Sequence, residues 1–262
     1  VEPSAEVGTL VLQNGAFGRI VGDEISPLTG ISSEITAITQ PIVSIDVAAD
    51  DSRAATQLGD QHVYLIGEGS LDELDSRPGL IRPSLDSYGY TWSVPAGAPT
   101  ALQASGSDAV AHQVATAWPS ASAISHLRVA PDGARVAAVV TVGKQMWVVV
   151  AAVVRDSAGI PIELGEVKQL TQLFEPATGL SWLGADRVGV LVDPNSPRLL
   201  TQMVGGHGSA EAAPSNAISI AGARTASGVR ILGANGELFA HAGSAWREVA
   251  SGVSVLATRV GE

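Results

Sequence analysis

Short apolar runs of Val, Ile and Leu recur along this chain, broken by Gly, Pro, Asn and Asp clusters about every ten residues. No three-four spacing of apolar residues persists beyond two turns. The nearest helix candidate is residues 108–117, where Val110, Val114 and Ala117 form a weak stripe. The pattern predicts an all-β protein built as a sandwich, a barrel or a propeller.

Internal repetition separates these architectures. Residues 9–20 read TLVLQNGAFGRI and residues 229–241 read VRILGANGELFAH. Each is an apolar strand, an Asn-Gly pair and a second strand opening near a Phe. Asn14-Gly15 and Asn235-Gly236 predict type I′ turns, in which both central residues take positive φ. A second repeated element is residues 124–140, ISHLRVAPDGARVAAVV, where Pro131 presets the turn and Gly133 supplies the unusual backbone geometry. The same layout returns with weaker turns at 42–55, 81–94, 180–192 and 218–232.

These five inner hairpins, each followed by one or two further strands, are spaced by about 40 to 50 residues, the period of a four-stranded blade. A sixth copy is split. Residues 253–260, VSVLATRV, carry the first-strand pattern with nothing after it, and the chain opens on a second-strand pattern at Thr9 that continues to Ile25. Joined, they predict a blade that seals a ring by main-chain hydrogen bonds and confines free edges to the outer strands. The expectation is one six-bladed β-propeller over residues 1–262, its closing blade shared by both termini. The fourth blade is the weakest: 198–204 reads as one strand, but 205–215 is too rich in Gly, Ala and Pro for a clear outer strand. Five or seven blades stay open on that account.

Charge narrows the function. With 26 acidic and 15 basic residues the net charge is −11, a field that repels nucleic acid and anionic membrane surfaces. The absence of cysteine removes disulfides, thiolate metal sites and cysteine nucleophiles. No apolar run approaches 18 residues, the length needed for a spanning helix. The chain starts at Val1 without Met, signal or lipid-attachment cysteine, so it is expected to be a piece of a longer protein.

Motifs for chemistry are sparse. There is no Gly-x-Ser-x-Gly elbow, no Gly-x-Gly-x-x-Gly and no phosphate loop. The histidines, His62, His112, His126, His207 and His241, lie more than five residues apart and are expected to be solvated or singly hydrogen-bonded. Asp46, Asp50 and Asp51 lack the spacing of a calcium loop and read as turn residues. Glu68, Asp72, Glu73 and Asp75 read as a solvated outer connection. No catalytic residue, metal site or cofactor is expected.

Residues 77–92, RPGLIRPSLDSYGYTW, stand apart in an aromatic-poor chain. Tyr88, Tyr90 and Trp92 alternate and are expected to share one strand face, with Trp92 filling the space between two blades. Arg77, Arg82, Asp86, Tyr88 and Tyr90 are the candidate binding residues, since Tyr, Trp and Arg are preferred interface anchors. Arg82 and Asp86 are placed at the channel mouth, where they are expected to face one another.

Arg82-Pro83-Ser84 followed by Tyr88-Gly89-Tyr90-Thr91-Trp92 resembles the LpqB family of actinobacterial lipoproteins. So do residues 127–137, LRVAPDGARVA, and Leu180-Ser181-Trp182-Leu183. The likeness spans nearly the whole chain. Here Ala130 stands where the family often has Ser before Pro-Asp-Gly. The resemblance implies a larger lipid-anchored protein with a GerMN-like module ahead of this propeller. It implies a site outside the cytoplasmic membrane and association with the sensor domain of the MtrB histidine kinase of the MtrAB two-component system. It assigns no catalytic residue. A monomer is expected, in contact with the membrane only through the anchor. The alternative is an envelope glycan-binding domain, or a glycan-active enzyme, using the central channel.

Overall fold

The computed structural model describes residues 9–13, 16–21, 24–27, 31–48, 52–67, 69–118, 120–222, 228–242 and 245–260. Strands β1 (Thr9–Gln13), β2 (Ala16–Val21) and β3 (Glu24–Pro27) come first, then one short helix, α1 (Ser32–Ala37). Its Ile31 and Ile35 are buried, one helical turn apart. Blade 1 follows as β4 (Ile42–Ala48), β5 (Ala54–Leu58), β6 (Val63–Gly67) and β7 (Ser70–Asp75). Blade 2 is β8 (Ser84–Leu85), β9 (Thr91–Ser93), β10 (Gln103–Ser105) and β11 (Ala111–Gln113).

Blade 3 holds β12 (Ala121–Val129), β13 (Arg135–Val142), the long β14 (Gln145–Arg155), β15 (Pro161–Leu164) and β16 (Lys168–Leu173). Near its start β14 pairs with β16, and at its far end with β15. Blade 4 is β17 (Ala177–Trp182), β18 (Arg187–Val192), β19 (Arg198–Met203) and β20 (Gly208–Ala212). Blade 5 is β21 (Ala217–Ala221), β22 (Arg230–Gly233), β23 (Leu238–Ala242) and β24 (Ala245–Ala250). Finally β25 (Val253–Val260) pairs antiparallel with β1, so the chain ends build one sheet in the order β3-β2-β1-β25. A short parallel pairing, Arg259 with Val47 and Val260 with Ala48, joins this sixth blade to blade 1. The expected six-bladed ring with a shared closing blade is what the chain forms.

The core lies between blades. Trp92, Trp118, Ile124, Leu127 and Val149 fill the layer between blades 2 and 3. Leu10, Phe17, Ile45 and Val255 fill that between blades 6 and 1. Trp182 and its Val neighbours fill the layer between blades 3 and 4. Trp92 is fully buried between blades 2 and 3, as its size and spacing predicted. The layer between blades 1 and 2 is thin, little more than Ala55, Leu85 and Ala48. Polar contacts span it instead. Gln57 Nε2 donates to the Leu80 carbonyl at 3.2 Å, and Leu85 N–H donates to Asp46 Oδ2 at 3.3 Å.

Four expectations are corrected. Residues 108–117 are not helical; they hold the edge strand β11, with Val110 exposed and Val114 buried, so the stripe shares no face. Residues 205–215 do form an outer strand, β20, whose side chains are all exposed. Such a strand is held by its backbone pairs with β19 and needs no apolar residue. At Asn235-Gly236 only Gly236 has positive φ, +86°, and its N–H closes on the Gly233 carbonyl. That is a type I turn followed by a left-handed glycine rather than type I′. Tyr88 lies in the turn ahead of β9, not on a strand face with Trp92. Asn14-Gly15, Asp50, Asp51 and Glu68 lie outside the described residues.

Candidate functional site

The innermost strand of each blade has a free edge toward the ring axis, and its amides need partners from outside their own sheet. Polar residues on the inner strands supply them to the following blade. Asp46 accepts from Leu85 N–H, and Ser84 Oγ accepts from Val129 N–H at 3.1 Å. Ser181 Oγ accepts from Gly222 N–H at 2.8 Å. At blade 3 the Arg128 carbonyl accepts from Trp182 Nε1 at 2.9 Å. Asp46 is therefore a buried strand residue, not the turn residue the acidic spacing suggested. Burial pushes its carboxyl up, against the Arg128 charge and the hydrogen bonds from Leu85 and Ser84.

The turn between β8 and β9 is organised by Asp86. Its carboxylate is buried, with Oδ1 accepting from the N–H groups of Tyr88 and Tyr90, both at 2.9 Å. Oδ2 accepts from Trp92 Nε1 at 2.8 Å and from Arg155 Nη2 at 2.7 Å. Arg155 arrives from the far end of β14, so the ion pair ties blade 2 to blade 3. The same guanidinium lies 4.0 Å from the Tyr88 ring centre and 5.8 Å from that of Tyr90. Its Nη2 also donates to the Gly133 carbonyl. Gly133 has φ +67°, and a Cβ there would stand 2.7 Å from Ser87 Oγ and 2.8 Å from the Tyr88 ring. The Pro-Asp-Gly turn thus closes its own hairpin and seats the neighbouring Tyr88. Tyr88 remains 58% exposed, an aromatic face backed by a cation.

The five candidate residues separate into three places. Asp86, Tyr88 and Tyr90 gather at the Arg155 end of the axis. Arg77 is a staple between blades 1 and 2. It pairs with buried Asp75 at 2.6 Å and donates to the Ala101 carbonyl at 2.7 Å, while Ser93 also donates to Asp75. Burial would raise Asp75, but these hydrogen bonds together outweigh it and hold the carboxyl below its usual value. Asp75 is therefore not the solvated residue the acidic run suggested.

Arg82 stands at the other end of its inner strand and does not face Asp86, which is bound to Arg155. Its neighbours are Arg128 and His126 of blade 3. Arg128 Nη1 donates to the Pro83 carbonyl at 2.9 Å and to the Arg82 carbonyl at 3.4 Å. Burial, then the charge of Arg128, pulls Arg82 below the usual arginine value. Burial and the same two guanidiniums push the His126 imidazole down to about 4, against a hydrogen bond to the Thr178 backbone. Arg155, Arg128, His126 and Asp46 are the site residues that sequence reasoning missed. For Asp46 and Arg128 a signal existed: with Ser84 and Ser181 they are among the polar residues that recur inside the apolar inner strands.

Among solved structures, TolB from Acinetobacter baumannii is similar at a TM-score of 0.64 and 15% identity, over 99% of this chain and 68% of that one. A nidogen/laminin complex chain matches at 0.63 and 9% identity, over 95% and 97%. A puromycin-hydrolyzing peptidase of Mycobacterium tuberculosis matches at 0.53 and 15%, over 94% of this chain and 43% of the peptidase. No curated protein sequence matches.

A ring of six sheets sealed by its own termini, with polar side chains latching successive inner strands, defines a closed β-propeller. Within that class the sequence model of the lipoprotein LpqB beta-propeller domain matches residues 15–257, and the chain belongs to that family.

Proposed function

We propose that this propeller is a non-catalytic protein-interaction domain working outside the cytoplasm, within a longer lipoprotein held to the membrane by its lipid anchor. Its proposed partner is the extracytoplasmic sensor domain of the MtrB histidine kinase. The observation that carries the reading is the family match across residues 15–257. Surface chemistry supports it. Tyr88 is exposed and stacked on Arg155, a pairing of residue types enriched at interface hot spots. Asp86 fixes the backbone on both sides of that ring, so little ordering entropy is lost on docking.

The test is titration of the purified propeller with the purified kinase sensor domain. Saturable binding is expected, with Tyr88→Ala raising Kd about tenfold, equivalent to roughly 1.4 kcal/mol. Absence of binding and of crosslinking would remove the kinase as partner.

A further inference from the structure

The residues around Arg82 form a cationic cluster at the axis that the interaction surface does not use. Arg82 belongs to blade 2, Arg128 and His126 to blade 3, and Asp46, which senses the Arg128 charge, to blade 1. Groups of blades 1 and 3 reach one another past blade 2 only close to the axis. The protein carries 26 acidic residues against 15 basic. Yet among the described residues neither Arg82 nor Arg128 forms an ion pair. Arg128 spends Nη1 on carbonyl oxygens, and those bonds leave Nη2 and Nε unassigned. Asp46, the nearby carboxylate, is engaged by Leu85 N–H and Ser84.

Two neighbouring, partly buried guanidiniums repel each other, and the carboxylate that senses Arg128, Asp46, is itself pushed up by burial, so an anion joining the two would relieve the repulsion. His126 is held neutral beside them: its Nδ1 meets Ser125 Oγ at 3.0 Å, and its ring bonds the Thr178 backbone. Two hydroxyls on the inner strands, Ser44 Oγ and Thr178 Oγ1, are buried without a hydrogen-bond partner among the described residues.

We propose that Arg82, Arg128 and His126 form an axial binding site for an oxyanion, a carboxylate or a phosphate group of a small ligand. The planar fork of arginine matches both groups in a bidentate fashion. Burial does most to keep His126 neutral and the two guanidiniums add to it; an anion between them cancels that added part, so binding is coupled to uptake of a proton by that imidazole. The groups acting on His126 in this coupling are Arg128 on its own strand, Arg82 on blade 2 and the Thr178 backbone on blade 4.

The experiment is isothermal titration of the intact chain with inorganic phosphate and, separately, with citrate, at pH 7 and pH 5.5. Saturable binding of at least one is expected, several-fold tighter at pH 5.5. Phosphate alone binding assigns a phosphoryl ligand, and citrate alone a carboxylate. Arg82→Gln is expected to weaken binding at least tenfold with its ligand-free melting temperature unchanged or raised. Should that variant be unstable, Arg82→Lys, which keeps the charge but loses the fork, is expected to bind several-fold more weakly. His126→Gln is expected to bind at pH 7 and to lose the pH dependence beyond the change in the ligand's own ionisation. No binding of either anion, or wild-type affinity in both Arg82 variants, overturns the proposal. The Tyr88 surface lies at the opposite end of the inner strand, so this result and kinase binding fail independently.

Discussion

Asp86 shows how one side chain converts a turn into an inter-blade joint. It satisfies two backbone amides, an indole and a guanidinium from the next blade while fully withdrawn from water. Removing it strands the Arg155 charge, the costly way to break a buried pair. Asp86→Ala is expected to lower stability by about 3–5 kcal/mol in urea unfolding; a loss below about 1 kcal/mol would show the joint to be incidental. His126 makes a second residue-scale case. Its pKa is about 4 in the folded chain against an ordinary value of 6.5. The unfolded chain then binds more protons between those values, so stability rises with pH across the window and falls as pH drops from about 6.5 toward 4. Asp75, held low, adds a loss of the same sign as acid protonates it. His126→Gln is expected to flatten the upper part of that slope in ligand-free buffer; an unchanged slope would place the titration elsewhere.

Turns and strands extend the same logic to the element. Gly133 and Gly159 both take positive φ, +67° and +83°, but only Gly133 is crowded by a neighbour. Gly159→Ala is expected to cost backbone strain alone, about 1 kcal/mol. Gly133→Ala adds the clash with Ser87 and Tyr88 and is expected to cost at least about twice that in chemical denaturation. Equal costs would mean that Tyr88 is not seated on the turn. The inner hairpins could be read from sequence because alternation, apolar content and turn residues coincide in them. The outer strand β20 could not, because a strand exposed on all its side chains carries no apolar signal. Arg155 was hidden for another reason. It joins Asp86 from 69 residues away, and only the neighbouring of blades 2 and 3 brings them together. Asp75 looked like one more charge in an acidic run, and its burial is decided by Arg77 and by Ser93 of the next blade.

At the scale of the molecule, stability comes from packing between blades rather than from a single central core. Each layer depends on both of its neighbours, so the ring is as strong as its weakest seam. The thin layer between blades 1 and 2 is supported by polar links at Asp46, Gln57 and Asp75. The seam between blades 6 and 1 is different. It is apolar, and it exists only because β25 from the C-terminal end pairs with β1 from the N-terminal end. Val253, Val255, Leu256 and Ala257 of β25 enter the layers on both sides of the closing blade. Their loss uncovers blades 5 and 1 together and exposes strand edges to pairing with other chains. The most direct measurement of this closure is the thermal unfolding of a chain lacking residues 251–262, compared with the intact chain. Loss of the cooperative transition, or a melting temperature lowered by more than 10 °C, on the order of the shift several kcal/mol produces, is the expected result. A truncated chain that melts together with the intact one would contradict the sealed ring.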